Sequence, residues 1–473
     1  MKNRTLLLVV LLASVAYWAL LCFHIPVLQS LPWWFWDLRD TRLESPLYLL
    51  LGITFAGASV AVVLFTHQRP ALKLLLLVAA VYALQMAFGL AEGRGMELFR
   101  DRLIKGGQRE CINVAVGRYS IIDMARHYED LLDSELWQHD YMRTKPPGST
   151  LFFMFVERTT HWFTGEATSE KRVQNLSTVA AFLFPFLAAL TVIPLFFFSR
   201  LFLPEHQAII PPVLFALSPN VVLLTMSIDQ FLFPLMAMVV LWLSAFSAAK
   251  ANPTLAFSAG IALYLSIYAS FTLIPLLLLT PLVAATIWAT REKSQRSLQG
   301  LAILNSAGAA GFLIMLLLFQ VLFHYDILTR FSAALSAHQD IKSWMPGIDY
   351  TIAFAFINNV EFACGIGIAI AIVFVDQLAA TIIGATQKRI DSAGYLVATV
   401  VMALVGLAIF GKVKAESARL WLFLVPLVCV VATNRIVRRF GTNPRHVVLF
   451  LLALQLVTTL VLKRYEDFWR PPA

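Results

Sequence analysis

The sequence predicts an all-α polytopic membrane protein, and three observations predict it. The first is composition. Of 473 residues, 59% are hydrophobic and 14% charged, with mean hydropathy +0.74, where soluble domains carry about 25% charge. The second is a series of apolar runs of roughly the 20 residues that a helix needs to cross a bilayer. The third is the placement of Lys and Arg. They give a formal charge of +9 and gather between the runs as Arg69/Lys73, Lys171/Arg172, Arg291/Lys293/Arg296, Lys388/Arg389 and Arg435/Arg438/Arg439. That is the pattern of cytoplasmic loops, not a nucleic-acid-binding patch. A soluble enzyme, a disordered chain and a disulfide scaffold are excluded by composition. Four cysteines are too few for a framework, and no CxxC or Cys/His cluster suggests zinc.

The chain opens MKNRT before an apolar run to Phe23. The run is too long and too bulky at its end for a cleaved signal. It reads as a first helix with Lys2 and Arg4 cytoplasmic. Spans are expected at 5–23, 47–67, 72–91, 149–163, 174–199, 208–224, 230–249, 255–290, 301–323, 352–378, 392–411, 419–433 and 446–462. The run 255–290 is long for one span and short for two, and Pro275 and Pro281 would break it. Taken as one broken span it gives about 13 transmembrane helices. All five basic clusters then face the cytoplasm, and the C-terminus lies outside.

On this count three polar segments face outward: 92–148, 324–351 and the short 412–418. The first holds nine Lys/Arg and ten Asp/Glu. Within it, 118–137 carries Ile121, Met124, Tyr128, Leu132 and Leu136 at helical spacing, with Asp123, Arg126, Asp130 and Asp133 opposite. It is an amphipathic juxtamembrane helix, too polar to span. The aromatic cluster WWFW at 33–36 reads as an interfacial anchor. No repeat or linker divides the chain, so 1–473 is one membrane domain.

Five segments carry chemistry. HDYMRTKPPG, 139–148, ends an extended loop and starts a span. It sets His139, Asp140, Arg143 and Lys145 at the membrane surface. Asp123 stands on the amphipathic helix, with Arg126 three residues on. Asp229 opens a span within SPNVVLLTMSIDQ, although simple counting puts it on the inner side. INNVEF places Asn358, Asn359 and Glu361 in the first turns of another span. GKVKAESARLW gives Lys412, Lys414, Glu416 and Arg419, the last two able to pair on one helix face. Each has a plain structural reading as a cap, a dipole partner or a snorkelling anchor. Ionisable groups at membrane depth are nevertheless functional candidates. Four of these segments bring carboxylates and cations to one face. A carboxylate can serve as general base, and Arg or Lys can hold a phosphate.

YSIID (Tyr119 to Asp123), RTKPPG, SP…SIDQ, NNVEF and ESARLWLFLVP occur in this order over roughly 115–430. In that order the chain resembles the GT-C superfamily of integral membrane glycosyltransferases. More closely, it resembles the bacterial branch related to protein O-mannosyltransferases and the aminoarabinose lipid A transferase. One departure is that Lys145 stands where the family usually has His before the two prolines. A cation stays but a titratable imidazole is lost. The resemblance implies a polyprenyl-phosphate-sugar donor and an acceptor hydroxyl on a lipid, glycan or protein. It implies an inverting displacement at the outer face of a bacterial inner membrane, facing periplasm or exterior. By position Asp123 is the base, with Asp130 and Asp133 as competitors. Arg143, Lys145 and Arg419 hold the donor phosphate, and Glu416 orients Arg419. Asn359 and Glu361 bind sugar hydroxyls, while Tyr119, His139 and Asp229 support. No carboxylate pair at ligand spacing calls for a metal, and a divalent ion is left open as the one cofactor. A transporter or flippase of lipid-linked sugars and a non-catalytic scaffold are the rival readings. The first would favour repeated halves and midplane charges.

Overall fold

The computed structural model describes residues 3–31, 34, 36–117, 119–132, 140–165, 168–290, 297–341, 348–389, 391–410 and 416–466. The fold is all-helical, with no strand among the described residues beyond an isolated bridge between Leu38 and Glu466. Among the described residues ten stretches are long and apolar enough to cross a membrane by length and composition. The chain is a multi-pass membrane protein.

Helices α1 (Asn3–Cys22), α2 (Pro46–Phe65) and α3 (Pro70–Leu90) alternate in direction. Ser45 N donates to Ala91 O at 3.1 Å, so α3 ends where α2 begins. We call this the second end of the bundle, and the end where α1 begins the first. Short helices then cover the second end: α4 (Met96–Ile104), α5 (Arg109–Ala115), α6 (Ile121–Arg126) and α7 (Tyr128–Leu132). Two of them correct the expected continuous helix 118–137, because the backbone breaks at His127 (φ −113°, ψ 25°). The predicted apolar stripe survives the break: Met124, Tyr128 and Leu132 are buried and Ile121 is half-buried, while Leu136 lies outside the described residues.

The expected span 149–163 is α8 (Gly148–Thr164), and it is not among the ten stretches long and apolar enough to cross. Ser149 Oγ donates to Ala269 O at 2.6 Å, and Arg158 reaches Tyr119 O at 2.8 Å. Both contacts lie at the second end. Glu157, 1% exposed, is held by Arg158 (2.7 Å) and by Arg172 of α9 (Ser169–Leu190). The cluster Lys171/Arg172 therefore sits at the second end, against the expectation that all five basic clusters share one face. From there α9 and α10 (Val192–Ser199) descend to the first end, where Gln207 bonds Thr442 O. The ascent runs through α11 (Ile210–Ala216), α12 (Pro219–Leu223) and α13 (Ile228–Phe231), and α14 (Phe233–Lys250) returns.

The run 255–290 is two helices, not one broken span: α15 (Pro253–Ala269) and α16 (Leu276–Ala289), turning at Ser270 and a 3-10 segment. Helix α17 (Leu298–Phe323) runs parallel to α15, pairing Gly260 with Gly308 and Tyr268 with Phe319. Trp288 Nε1 meets Ser297 O at 3.1 Å, so α16 ends where α17 starts and lies antiparallel to both. A Cβ on Gly260 would meet Gly308 O at 1.9 Å, so the α15 and α17 backbones touch, as small-residue contacts allow in membranes.

Helix α18 (Ile327–Ile341) lies across the second end, and α19 (Ile348–Ile366) with α20 (Ile368–Thr386) forms one broken run. The break is Gly367 at φ +93°, where a Cβ would strike Gln455 Oε1 at 1.8 Å. Gln455 Nε2 donates to Ile366 O at 2.6 Å, capping a carbonyl that the break exposes. The order closes with α21 (Ser392–Phe410), α22 (Ser417–Leu420), α23 (Val425–Phe440) and α24 (Arg445–Tyr465). The chain finishes at the second end, where Arg39 N bonds Tyr465 O at 3.0 Å.

The aromatic cluster at 33–36 is not a surface anchor where it is described. Trp34 and Trp36 are buried, and Trp33 and Phe35 lie outside the described residues. Trp34, Gln29 and Tyr17 each donate to the Glu466 carboxyl at 3.4 Å. Burial pushes that carboxyl up to about 8, partly opposed by the Trp34 and Tyr17 hydrogen bonds. A folded-state value above the unfolded 4.5 means the folded form binds the extra proton. Stability is then highest below the unfolded value and lost as pH rises through the folded one. Stability to thermal unfolding in nanodiscs should fall as pH rises from about 5 to 8, by at most about 1.4 kcal/mol per pH unit. Glu466→Gln should flatten the profile; an unchanged slope would remove Glu466 as its source.

Candidate functional site

Charges from five segments meet at the second end. Glu92 follows the last turn of α3, and Arg102 reaches it from α4 at 3.1 Å. Lys463, on the last turn of α24, pairs with the same carboxylate. The other face of Arg102 donates to Thr225 Oγ1 at 2.9 Å. From Thr225 the turn leads to Asp229, which accepts from Ser227 Oγ at 3.0 Å and faces Arg419 at 3.5 Å. Arg419 also binds Glu416 at 2.7 Å. Among the described residues this network counts three cations, Arg102, Arg419 and Lys463, and three carboxylates, Glu92, Asp229 and Glu416. The side chains of Asp229 and Lys463 are 9% and 8% exposed, those of Arg419 and Glu416 27% and 24%, so the network opens on the Arg419 side. Buried charges persist only when paired in this way.

The backbone is strained on both sides of the Asp229–Arg419 pair. Met226 (φ +77°) and Glu416 (φ +65°) are non-glycine residues in the left-handed region. Each such residue costs about 1–3 kcal/mol and persists where surrounding contacts fix it, commonly at functional sites. The Glu416 turn is fixed from α19. Glu361, 2% exposed, accepts from Ser417 N (3.0 Å) and Ser417 Oγ (2.9 Å). Ser417 Oγ also lies 2.6 Å from Asn358 O. Glu361 thus supports the turn that presents Arg419, from the last turns of α19 and not the first turns of a span. Asn359 is exposed and bonds Ala355 O in its own helix at 2.7 Å, so it does not join the group. Asp229 does join it, correcting its assignment to the opposite face.

The motif before α8 forms a second group. Its 3-10 turn Asp140–Thr144 is tied down by Arg330 of α18. Arg330, 3% exposed, donates to Arg143 O at 2.6 Å and to Glu129 at 2.8 Å. Tyr128 OH donates to Lys145 O at 3.2 Å, and burial pushes its phenol well above the ordinary range. Pro147 is the N-cap of α8. Asp123 is exposed at the third position of α6, in a capping exchange with Ser120: Asp123 N donates to Ser120 Oγ (3.0 Å), and Ser120 Oγ to Asp123 Oδ2 (2.6 Å). Tyr119 is half-buried and gives its carbonyl to Arg158. Asp130 is exposed beside His127 at 3.3 Å. His139, Asp133, Lys412, Lys414 and the cluster Arg291/Lys293/Arg296 lie outside the described residues.

Two groups therefore stand at one end: Asp229, Glu361, Glu416 and Arg419 in the first, Arg143 and Lys145 in the second. Sequence reasoning missed Glu92, Arg102, Lys463 and Ser417. Glu92 and Lys463 each follow an expected span by one residue, which is the signal that could have marked them. Among the described residues no group of three His, Cys, Asp or Glu side chains gathers as metal ligands would. Comparison of the chain with family models gave no match, and comparison with curated proteins gave none.

Proposed function

We propose that the chain is a membrane glycosyltransferase that moves a sugar from a polyprenyl-phosphate-linked donor to an acceptor hydroxyl. The observation that carries this reading is Arg419, a partly open guanidinium held between Glu416 and Asp229 at a membrane boundary. A planar guanidinium suits a phosphate, and poised charge in a low-dielectric site stabilises developing charge strongly. Lys463 and Arg102 add positive charge behind it. Arg143 and Lys145 are the second set of phosphate-binding candidates.

In the proposed step the acceptor oxygen bonds to the anomeric carbon as the bond from that carbon to the phosphate oxygen breaks. The electron pair leaves with the lipid phosphate, and the acceptor proton passes to the Asp123 carboxylate. The configuration inverts. Asp123 is exposed and so accessible to an acceptor. The reading also includes thirteen crossings, a cytoplasmic first end and an extracytoplasmic second end in a bacterial inner membrane. The count is supported by adding α11 with α12, α15 and α23 to the ten apolar stretches, and by taking α19 with α20 as one crossing.

The test is single-turnover release of lipid phosphate in nanodiscs, from a panel of undecaprenyl-phosphate sugars with membrane-lipid extract as acceptor. Asp123→Asn should lower the rate by about 10²–10⁴, the usual span for general-base removal, with unchanged melting because Asn keeps the cap. A wild-type rate in that variant would move the base to Asp130, Asp133 or Asp229. The flippase reading draws on the break at Gly367. The Asp229–Arg419 network stands at the second end, which favours transfer over transport. Sugar-lipid movement across vesicles without phosphate release would reverse that preference.

A further inference from the structure

At the first end, α20, the turn into α21 and the last turn of α23 enclose a pocket of about 40 Å³, room for an ammonium group but not for a whole headgroup. Gln377 and Thr381 line it from one face of α20, with Arg389, Asp391 and Arg438 around its mouth. Gln377 is 2% exposed, yet its Oε1 has no hydrogen-bond partner among the described residues. Its orientation is fixed by Thr381, whose hydroxyl donates its one proton to Gln377 O at 3.0 Å. The Thr381 oxygen can then only accept, and it takes the Gln377 Nε2 proton at 3.3 Å. Oε1 is left as a buried acceptor without a donor, on a residue that lines the pocket. A buried acceptor without a donor costs about 1–3 kcal/mol.

The mouth carries charges of both signs. Asp391 accepts from Gly394 N at 2.8 Å and pairs with Arg438. Burial raises its carboxyl, but the Arg438 and Gly394 contacts outweigh that and hold it below the usual range, so it is ionised. The Arg438 and Asp391 side chains are 39% and 49% exposed, within reach of a ligand from outside. Deeper in, Arg435 and Arg439 are committed to Asp376 at 2.5 and 2.7 Å. That leaves Arg438 and Arg389 as the cations of the mouth.

We propose that this pocket binds the headgroup of an aminophospholipid, phosphatidylethanolamine in particular. The primary ammonium donates to Gln377 Oε1 and approaches Asp391, and the phosphodiester rests on Arg389 and Arg438. Cation and anion are adjacent in such a headgroup, as acceptors and guanidiniums are in the pocket. The mouth lies where the apolar spans Ile368–Thr386 and Ser392–Phe410 meet, at a depth where headgroups of the leaflet are found, and Gln377 stands inside the first of these spans. A choline headgroup has the same charges but no N–H, and a glycerol headgroup has donors but no cation.

The test is native mass spectrometry of the delipidated full chain, offered equimolar phosphatidylethanolamine, phosphatidylcholine and phosphatidylglycerol. Phosphatidylethanolamine should be retained about tenfold over phosphatidylcholine, the worth of one charge-assisted hydrogen bond. Mono- and dimethylated ethanolamine lipids should fall between. Gln377→Met and Asp391→Asn should bring the ratio towards one. Equal retention of phosphatidylethanolamine and phosphatidylcholine, preference for phosphatidylglycerol, or no retained lipid would each overturn the proposal. The wild-type comparison decides this even where a variant fails to fold.

Discussion

Arg419→Gln is expected to lower single-turnover release of lipid phosphate by about 10²–10³, the loss typical when one preorganised charge-stabilising donor is removed. Its guanidinium is the most open cation of the six-charge network, with Glu416 at 2.7 Å and Asp229 at 3.5 Å setting its plane. Arg419→Lys should recover only part of the rate, because an ammonium is a point charge without the fork. Glu361→Gln should cut the rate less, about tenfold. Gln still accepts from Ser417 but with a neutral oxygen, so the turn at Glu416 is held less firmly. A rate for Arg419→Gln within threefold of wild type would take the residue out of the phosphate role.

Asp376→Leu is expected to cost about 3–5 kcal/mol and to leave little folded protein, the usual effect of removing one partner of a buried ion group. Asp376 is 9% exposed and serves both Arg435 and Arg439. Removing it strands two cations between α20 and α23. The triple variant Asp376→Leu, Arg435→Leu, Arg439→Met should recover most of the stability, because apolar replacement of a whole buried ion group is often neutral. Detergent-solubilised yield and melting temperature are the readouts. A single variant that melts like wild type would show that the triad contributes little.

The membrane class was legible because apolar composition and span length are properties of the sequence alone. The ends of the spans were less so. Residues 149–163 are apolar enough to suggest a crossing, yet Glu157 recruits Arg158 and Arg172 and holds α8 at the second end. Residues 255–290 had too few residues for two full helices plus a loop. The turn at Ser270 is tight enough to fit both. In the proposed count of thirteen crossings these two differences offset each other. The site was legible as charged residues near span ends: Asp229, Glu416 and Arg419 come together. Glu361 was legible as a carboxylate but not in its role, which depends on Ser417 from 56 residues away. Asn359 and its neighbour Asn358 looked equivalent in sequence, and helix phase alone separates them.

The interruption at Gly367 has a consequence for how this protein can vary. A broken helix inside a bilayer leaves a carbonyl that no solvent can satisfy. Here the amide of Gln455, 89 positions further along, satisfies it. The same amide occupies the space where a side chain at 367 would begin. Positions 367 and 455 therefore behave as a single unit of heredity. Glycine at the first makes room for glutamine at the second, and glutamine at the second makes the interruption tolerable. A library that randomises either position alone should recover almost nothing but the parental residue. One that randomises both should recover either this pair or sequences in which the two helices have fused into one.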